Sequence, residues 1–317
     1  MKGAVVALLI IGTVAVTVGG VCFGIGMYNK ANNEQVIENK YDINETFDDI
    51  NIDLETANLY IKSTDNDEVK VVCNDRKKVY QSVGVENNTL KIKTIDNRKW
   101  FEKWILPFNF KAFDVTVYLP KDCNYHDFKA ETATGNIDFE KVGDFNDITL
   151  KSSTGNVYFN NDVGADLEIT TSTGNLKLKD FKAKNVTLKS STGNVTAELV
   201  EVEKVFETNS STGDQKLDNC SADDLLIKTS TGNIKLSSVI GGSSFNLKTS
   251  TGNINFLDCD APTIKAKTGT GNIKGNLLSP HIFAASSDTG SVKVPKSTEG
   301  GLCELESDTG SIVITIG

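Results

Sequence analysis

Residues 226–236 read Leu226-Ile227-Lys228-Thr229-Ser230-Thr231-Gly232-Asn233-Ile234-Lys235-Leu236, and this stretch decides the fold. Apolar and polar residues alternate with period two up to Gly232-Asn233 and alternate again after it, the pattern of strand, turn, strand. Gly-Asn suits a sharp corner: glycine has no Cβ to clash at positive φ, and asparagine tolerates the left-handed region.

The corner Thr-Gly-Asn, or a close variant, recurs with its glycine at Gly135, Gly155, Gly174, Gly193, Gly213, Gly232, Gly252, Gly271, Gly290 and Gly310, at spacings of 19 or 20 residues. A third apolar point follows each second strand, as at Val142, Val163, Phe181, Cys220, Val239 and Cys259. Each repeat therefore reads as one coil with about three faces. One coil cannot bury its own apolar side chains, but stacked coils share a continuous core. At about 4.8 Å per strand, ten coils make a rod about 48 Å long. The expected fold is all-β: a single-stranded β-helix or β-solenoid of about ten regular coils over residues 128–317. Residues 46–127 also show period-two runs, at Ile50 to Leu54, Leu59 to Ile61, Val69 to Val71, Leu90 to Ile92 and Val115 to Leu119. They are expected to form irregular capping coils continuous with the rod, with Glu55-Thr56-Ala57-Asn58 as a degenerate corner.

Ahead of the β region, Gly3 to Tyr28 is a 26-residue run without charge, long enough to span a bilayer. A cleaved signal peptide has an apolar core of about 7 to 15 residues and a small-x-small cleavage site, whereas this run is longer and ends in Gly26-Met27-Tyr28-Asn29-Lys30. Residues 1–28 are therefore read as an uncleaved membrane anchor, with the solenoid on the extracytoplasmic side. Cys22 lacks the Leu-x-small pattern of lipoprotein processing and reads as a thiol in a membrane helix. Residues 29–45 are polar and read as a linker.

The 317-residue chain is 38% hydrophobic, enough for a sizeable core, and carries a net charge of -9. That charge argues against nucleic-acid binding, which calls for a basic surface. The two histidines, His126 and His281, are far apart, with no ligand spacing around them, so no metal or cofactor is expected.

Strand parity assigns the side chains to faces. Ile227, Thr229 and Thr231 share one parity, as do Leu150, Ser152 and Thr154, Leu188, Ser190 and Thr192, and Leu247, Thr249 and Thr251. Both hydroxyl columns are expected to face inward and to hydrogen-bond along the rod. That parity weighs against an ice-binding Thr-x-Thr surface. An outward column holds Lys151, Lys189, Lys228, Lys248 and Lys267, and the strand after the corner holds Lys177, Lys216, Lys235, Lys274 and Lys293. Lys189, Lys228, Lys248 and Lys267 form a candidate basic face for an anionic envelope polymer, against the plainer reading of a solvated, anti-aggregation surface.

Asp288 and Asp308 share a column in successive repeats, about 5 Å apart, the carboxylate separation of a retaining glycosidase. They lie in Ser-Asp-Thr-Gly-Ser corners with no aromatic platform or repeated arginine nearby, so no catalytic residues are expected. Cys220 and Cys259 share a column two coils apart, about 9.6 Å, too far for a disulfide. A Cys73–Cys123 pairing is left open. Both tryptophans, Trp100 and Trp104, lie in the aromatic and basic stretch from Arg98 to Phe110, a candidate membrane contact or a flap over the end of the solenoid.

The Ser-Thr-Gly-Asn corners from Gly135 to Gly310, the strand Val115 to Pro120 ending in Leu119-Pro120, and the N-terminal run together resemble the bacterial putative adhesin domain family of unknown function. The resemblance covers residues 46–317. It implies a membrane-anchored solenoid of the cell envelope, in Gram-positive bacteria and in part encoded with envelope stress systems, and it supplies no catalytic residues. Two functions are consistent with this: an adhesin-like binding or scaffold protein whose partner is an envelope polymer or another envelope protein, and a regulatory or sensory module that signals through the anchor.

Overall fold

Each repeat closes one turn of a parallel coil. In the repeat around Gly232, strand Ser221–Thr231 leads into the corner and strand Ile234–Ser237 leaves it. The first pairs in parallel with Ile240–Thr251, setting Leu225, Ile227 and Thr229 beside Phe245, Leu247 and Thr249. The computed structural model describes residues 35–100 and 113–317. Their twenty-four strands join in one continuous sheet wound around a single core.

Inward positions repeat from coil to coil, so the core is built of columns. Leu150, Ile169, Leu188, Ile227, Leu247, Ala266 and Leu305 stack in register before the corner, all fully buried. Val157, Leu176, Val195, Ile234, Ile254, Ile273 and Ile312 do the same after it. The predicted third apolar point is buried at Val142, Val163, Phe181, Cys220, Val239 and Cys259. Toward the N-terminal end the core is aromatic, with Phe128, Phe139, Phe145, Phe159 and Phe181 in contact at centroid distances of 4.9 to 5.7 Å.

A glycine corner bends each coil, and five coils bend again at a second corner. At the first, nine of the ten predicted glycines have φ between +146° and +157°, Gly290 being the exception. At the second, six residues later, Asp180, Leu199, Asn219, Ser238 and Asp258 take φ of +50° to +56°. Asp, Asn and Ser accept that conformation readily because their short polar side chains bond locally; leucine does not.

The first corner is held by side chains stacked through the rod. Asn136 accepts the amide of Asn156 at 2.8 Å, Asn156 that of Asn175 at 2.9 Å, and Asn175 that of Asn194 at 2.9 Å. The ladder continues through Asp214, Asn233, Asn253 and Asn272 to Ser311. It begins at Asn58, which accepts the amide of Asn136 at 3.0 Å, so the degenerate corner at residues 55–58 is a true one.

Three expectations change. The threonine directly before each glycine faces solvent, because the chain turns one residue earlier than strict alternation predicts: Thr134, Thr154, Thr173, Thr192, Thr212, Thr231, Thr251, Thr270, Thr289 and Thr309 are exposed. Only the hydroxyl two positions earlier is inward, and, except at Ser210, it bonds to a backbone carbonyl rather than to another hydroxyl. Thr132 donates to Ala57 O, Ser152 to Gly135 O, Thr249 to Gly232 O, Thr268 to Gly252 O and Ser307 to Gly271 O, at 2.8 to 3.1 Å.

Residues 46–127 are not a simple series of leading coils. Asp49–Thr64 is a true coil, but it lies inside a layer made by Thr89–Asp96 and Phe113–Pro120, which come later in the chain. Beyond that layer the pairing is antiparallel, Val79–Glu86 against Thr89–Asp96 and Val69–Asp75 against Phe113–Pro120. Ile37–Ile43, within the predicted linker, is a strand antiparallel to Val69–Asp75.

The C-terminal end repeats this inversion. Thr263–Thr270 pairs with Gly301–Thr309, and His281–Ser287 pairs with the other side of that same strand. The corner of Gly310 thus stacks on Gly271, and the Gly290 repeat is the outermost layer.

Candidate functional surface

Because the coils stack in register, any outward position becomes a column, and the candidate sites are columns rather than clefts. In the strand before the corner one column runs Glu131, Lys151, Thr170, Lys189, Asn209, Lys228, Lys248, Lys267, Glu306. Neighbouring acids neutralise two of the four predicted lysines. Lys189 lies 3.2 Å from Glu168, and Lys267 lies 2.5 Å from Glu306, whose carboxylate holds the Lys267 ammonium above its usual range. Lys228 and Lys248 have no ion-pair partner among the described residues and stand on adjacent coils. After the corner, Lys216 and Lys235 are adjacent, while Lys274 and Lys293 are separated by Val313. The basic face is therefore short, centred on the coils of Gly213, Gly232 and Gly252.

Parity placed the threonines before the corner glycines inward, but in the structure they form an outward hydroxyl ribbon. Thr134, Thr154, Thr173, Thr192, Thr212, Thr231, Thr251, Thr270 and Thr309 stand in register on consecutive coils. Ser153, Ser172, Ser191, Ser211, Ser230 and Ser250 are exposed beside them. The early turn that exposes the threonines is not visible in the local alternation.

Asp288 and Asp308 occupy adjacent layers at the C-terminal end, in register through Ser287 and Ser307, and both are exposed. His126 has carboxylates beside it that its sequence spacing did not suggest. Its Nδ1 is 3.1 Å from Asp127 Oδ1 and 3.9 Å from Asp49 Oδ1, the latter brought from the neighbouring coil. Asp49 Oδ1 already accepts the Asp127 amide at 3.2 Å, a structural use of that carboxylate. Trp100 is 76% exposed. Trp104 and the predicted anchor at residues 3–28 lie outside the described residues. Among the described residues no helix is long and apolar enough to cross a membrane.

All five described cysteines are free, including Cys73 and Cys123. Burial raises the Cys73 and Cys303 thiols to about 12, and the Cys123 and Cys220 thiols to about 11. These are thiols suppressed by desolvation, the opposite of an activated nucleophile. The grooves are shallow surface features. One of about 680 Å³ is bordered by Asp53, Glu86, Lys91, Lys93, Lys129 and Glu131, with Lys93 paired to Asp53 at 3.3 Å and Lys91 to Glu86 at 3.0 Å.

Fold and surface together define a parallel β-solenoid that presents ordered outward columns. The chain belongs to the Toastrack DUF4097 family, whose model matches residues 47–256. Among solved structures, a "putative lipid binding protein" from Parabacteroides distasonis is similar at 20% identity with a TM-score of 0.50, over 78% of this chain and 98% of that one. A "putative adhesin" from Bacteroides fragilis is similar at 16% identity with a TM-score of 0.41, over 89% of this chain and 97% of that one. At such identities the likeness concerns the fold. No match was found among curated proteins.

Proposed function

We propose that the protein is a cell-envelope solenoid, anchored in the membrane by residues 3–28, that acts as an adhesin-like binding or scaffold rod with its solenoid outside the cell. The observation that carries this reading is the register of outward side chains. Hydroxyls and amides repeat at one per coil along the rod, with unpaired lysines Lys228 and Lys248 on one face and Lys235 on the next. A rigid array with a repeat of about 4.8 Å suits an extended, repetitive ligand better than a small molecule, which needs a concave site. The lysines supply attraction to a polyanion, and the acidic remainder of the surface limits that attraction to short range.

The test measures retention of the full-length chain on purified cell walls, at low and at physiological salt. Changing Lys228 and Lys248 to Gln together is expected to reduce retention at low salt and to flatten its salt dependence, with an unaltered melting temperature. Retention and salt dependence equal to wild type would remove the basic face from this reading.

A further inference from the structure

We propose that the C-terminal end of the rod is a self-association surface, at which strand His281–Ser287 pairs edge to edge and antiparallel with the same strand of a second copy. Among the described residues this strand has a partner on one side only, Gly301–Thr309, so its other edge offers a row of backbone donors and acceptors. Residues 279–287, Ser-Pro-His-Ile-Phe-Ala-Ala-Ser-Ser, contain no lysine, arginine or carboxylate. The one titratable side chain, His281, is buried, with Nδ1 and Nε2 each 2.9 Å from a carbonyl oxygen.

The core is open at the same place. Cys303, Leu305 and Ser307 are fully buried, whereas their neighbours in the outermost layer, Phe283, Ala285 and Ser287, are only half-buried. One outward register pair is apolar here, Ile282 at 45% exposure beside Leu302 at 43%, while Ala284 and Ser286 stand beside Glu304 and Glu306. At the opposite end of the rod the edge strand Ile37–Ile43 carries Glu38, Lys40 and Asp42, charges of the kind that discourage edge pairing, while the second edge strand there, Val79–Glu86, is charged only at Glu86.

A second copy fits this edge better than other occupants. An antiparallel pairing centred on Ala284 sets Phe283 against Ala285 of the mate, large against small, and joins the two cores without changing inward and outward parity. It opposes no like charges, and a two-fold axis closes the interface after two copies. The chain's own undescribed segments, residues 1–34 and 101–112, join the rod at its other end, roughly 55 Å away at one strand spacing per layer. Residues 101–112 reach at most about 43 Å when fully extended, too short to go out and return, and residues 1–34, which are long enough, carry the run 3–28 that the proposed function gives to the membrane. In the resulting pair the two N-terminal ends point away from each other.

The experiment is sedimentation velocity on the full-length chain, comparing wild type with Ile282→Lys/Ala284→Lys, two outward positions whose replacement leaves the core untouched. Wild type should be dimeric, and the double variant should dissociate at least roughly 100-fold more readily, because it sets like charges against each other across the two-fold. At concentrations low enough for both to be monomeric, the two proteins should share one melting temperature. In a parallel measurement, Ala284→Cys is expected to form an intermolecular disulfide under mild oxidation and Ser82→Cys, on an edge strand at the other end, is not. A monomeric wild type, a dimer indifferent to the two lysines, or equal cross-linking at 82 and 284 would each overturn the proposal, the first leaving the edge to a different partner.

Discussion

Gly193 and Gly84 show how differently one residue type is used. Gly193 has φ of +147°, and an added Cβ would overlap the Gly174 carbonyl oxygen of the preceding coil. Gly193→Ala is therefore expected to cost at least about 3 kcal/mol, from strain at that φ and from displaced backbone, and Gly193→Val more. Gly84 lies on an edge strand with ordinary φ and nothing within 4 Å of an added Cβ. Gly84→Ala should be neutral or stabilising by about 0.5 kcal/mol, through the unfolded chain. Thermal melts of the three variants check this; a Gly193→Ala protein that melts with wild type would refute the stacked-corner account. The corner glycines were legible in the sequence from their period alone. What the period did not show is why alanine fails there, since the obstacle is the backbone of another coil.

Among the coils, the one around Gly213 departs from the pattern. Gln215 replaces the aliphatic residue between Val195 and Ile234, and Thr208 replaces the one between Leu188 and Ile227. Gln215 and Thr208 are fully buried, and Gln215 Nε2 and Oε1, Thr208 Oγ1 and Ser210 Oγ lack protein partners. Unpaired buried polar atoms cost roughly 1 to 3 kcal/mol each, unless a water completes them. Gln215→Ile restores the column and is expected to raise stability by about 1 to 3 kcal/mol, read as a higher denaturant midpoint at unchanged slope. A lowered midpoint would show that the amide holds an ordered water whose loss outweighs the apolar gain. The irregular residues of this coil are plain in the sequence once the columns are aligned. Their lack of partners is not, because it depends on distances across the coil interior.

At the scale of the whole molecule, the buried thiols make a prediction about base. Cys73 sits in the N-terminal cap, Cys123 and Cys220 along the rod and Cys303 in the inserted last coil, and burial raises all four. A thiol raised in the fold favours its neutral form there. Its contribution is fully present below the unfolded value near 9 and is lost as pH rises through the folded values of about 11 to 12. Stability should thus fall progressively above pH 9, and thiol reagents should modify the buried Cys73, Cys220 and Cys303 in the native protein only as slowly as it unfolds, the half-buried Cys123 reacting sooner; rapid labelling of the three buried thiols at pH 8 would contradict their burial. Sequence by itself determined the all-β class, the coil length, the corner positions and most of the core columns, because a period of 19 or 20 residues brings equivalent side chains to equivalent places. Only the tertiary structure decided the order of layers at the two ends. Chain order puts Ser286 beside Lys267, yet the inserted last coil puts Glu306 there and neutralises the lysine. At the other end the coil Asp49–Thr64 lies beneath strands that follow it. The physical reason is that parallel backbone pairing is sequence-tolerant: every repeat offers the same donors and acceptors, so the local pattern cannot say which neighbour a coil will take.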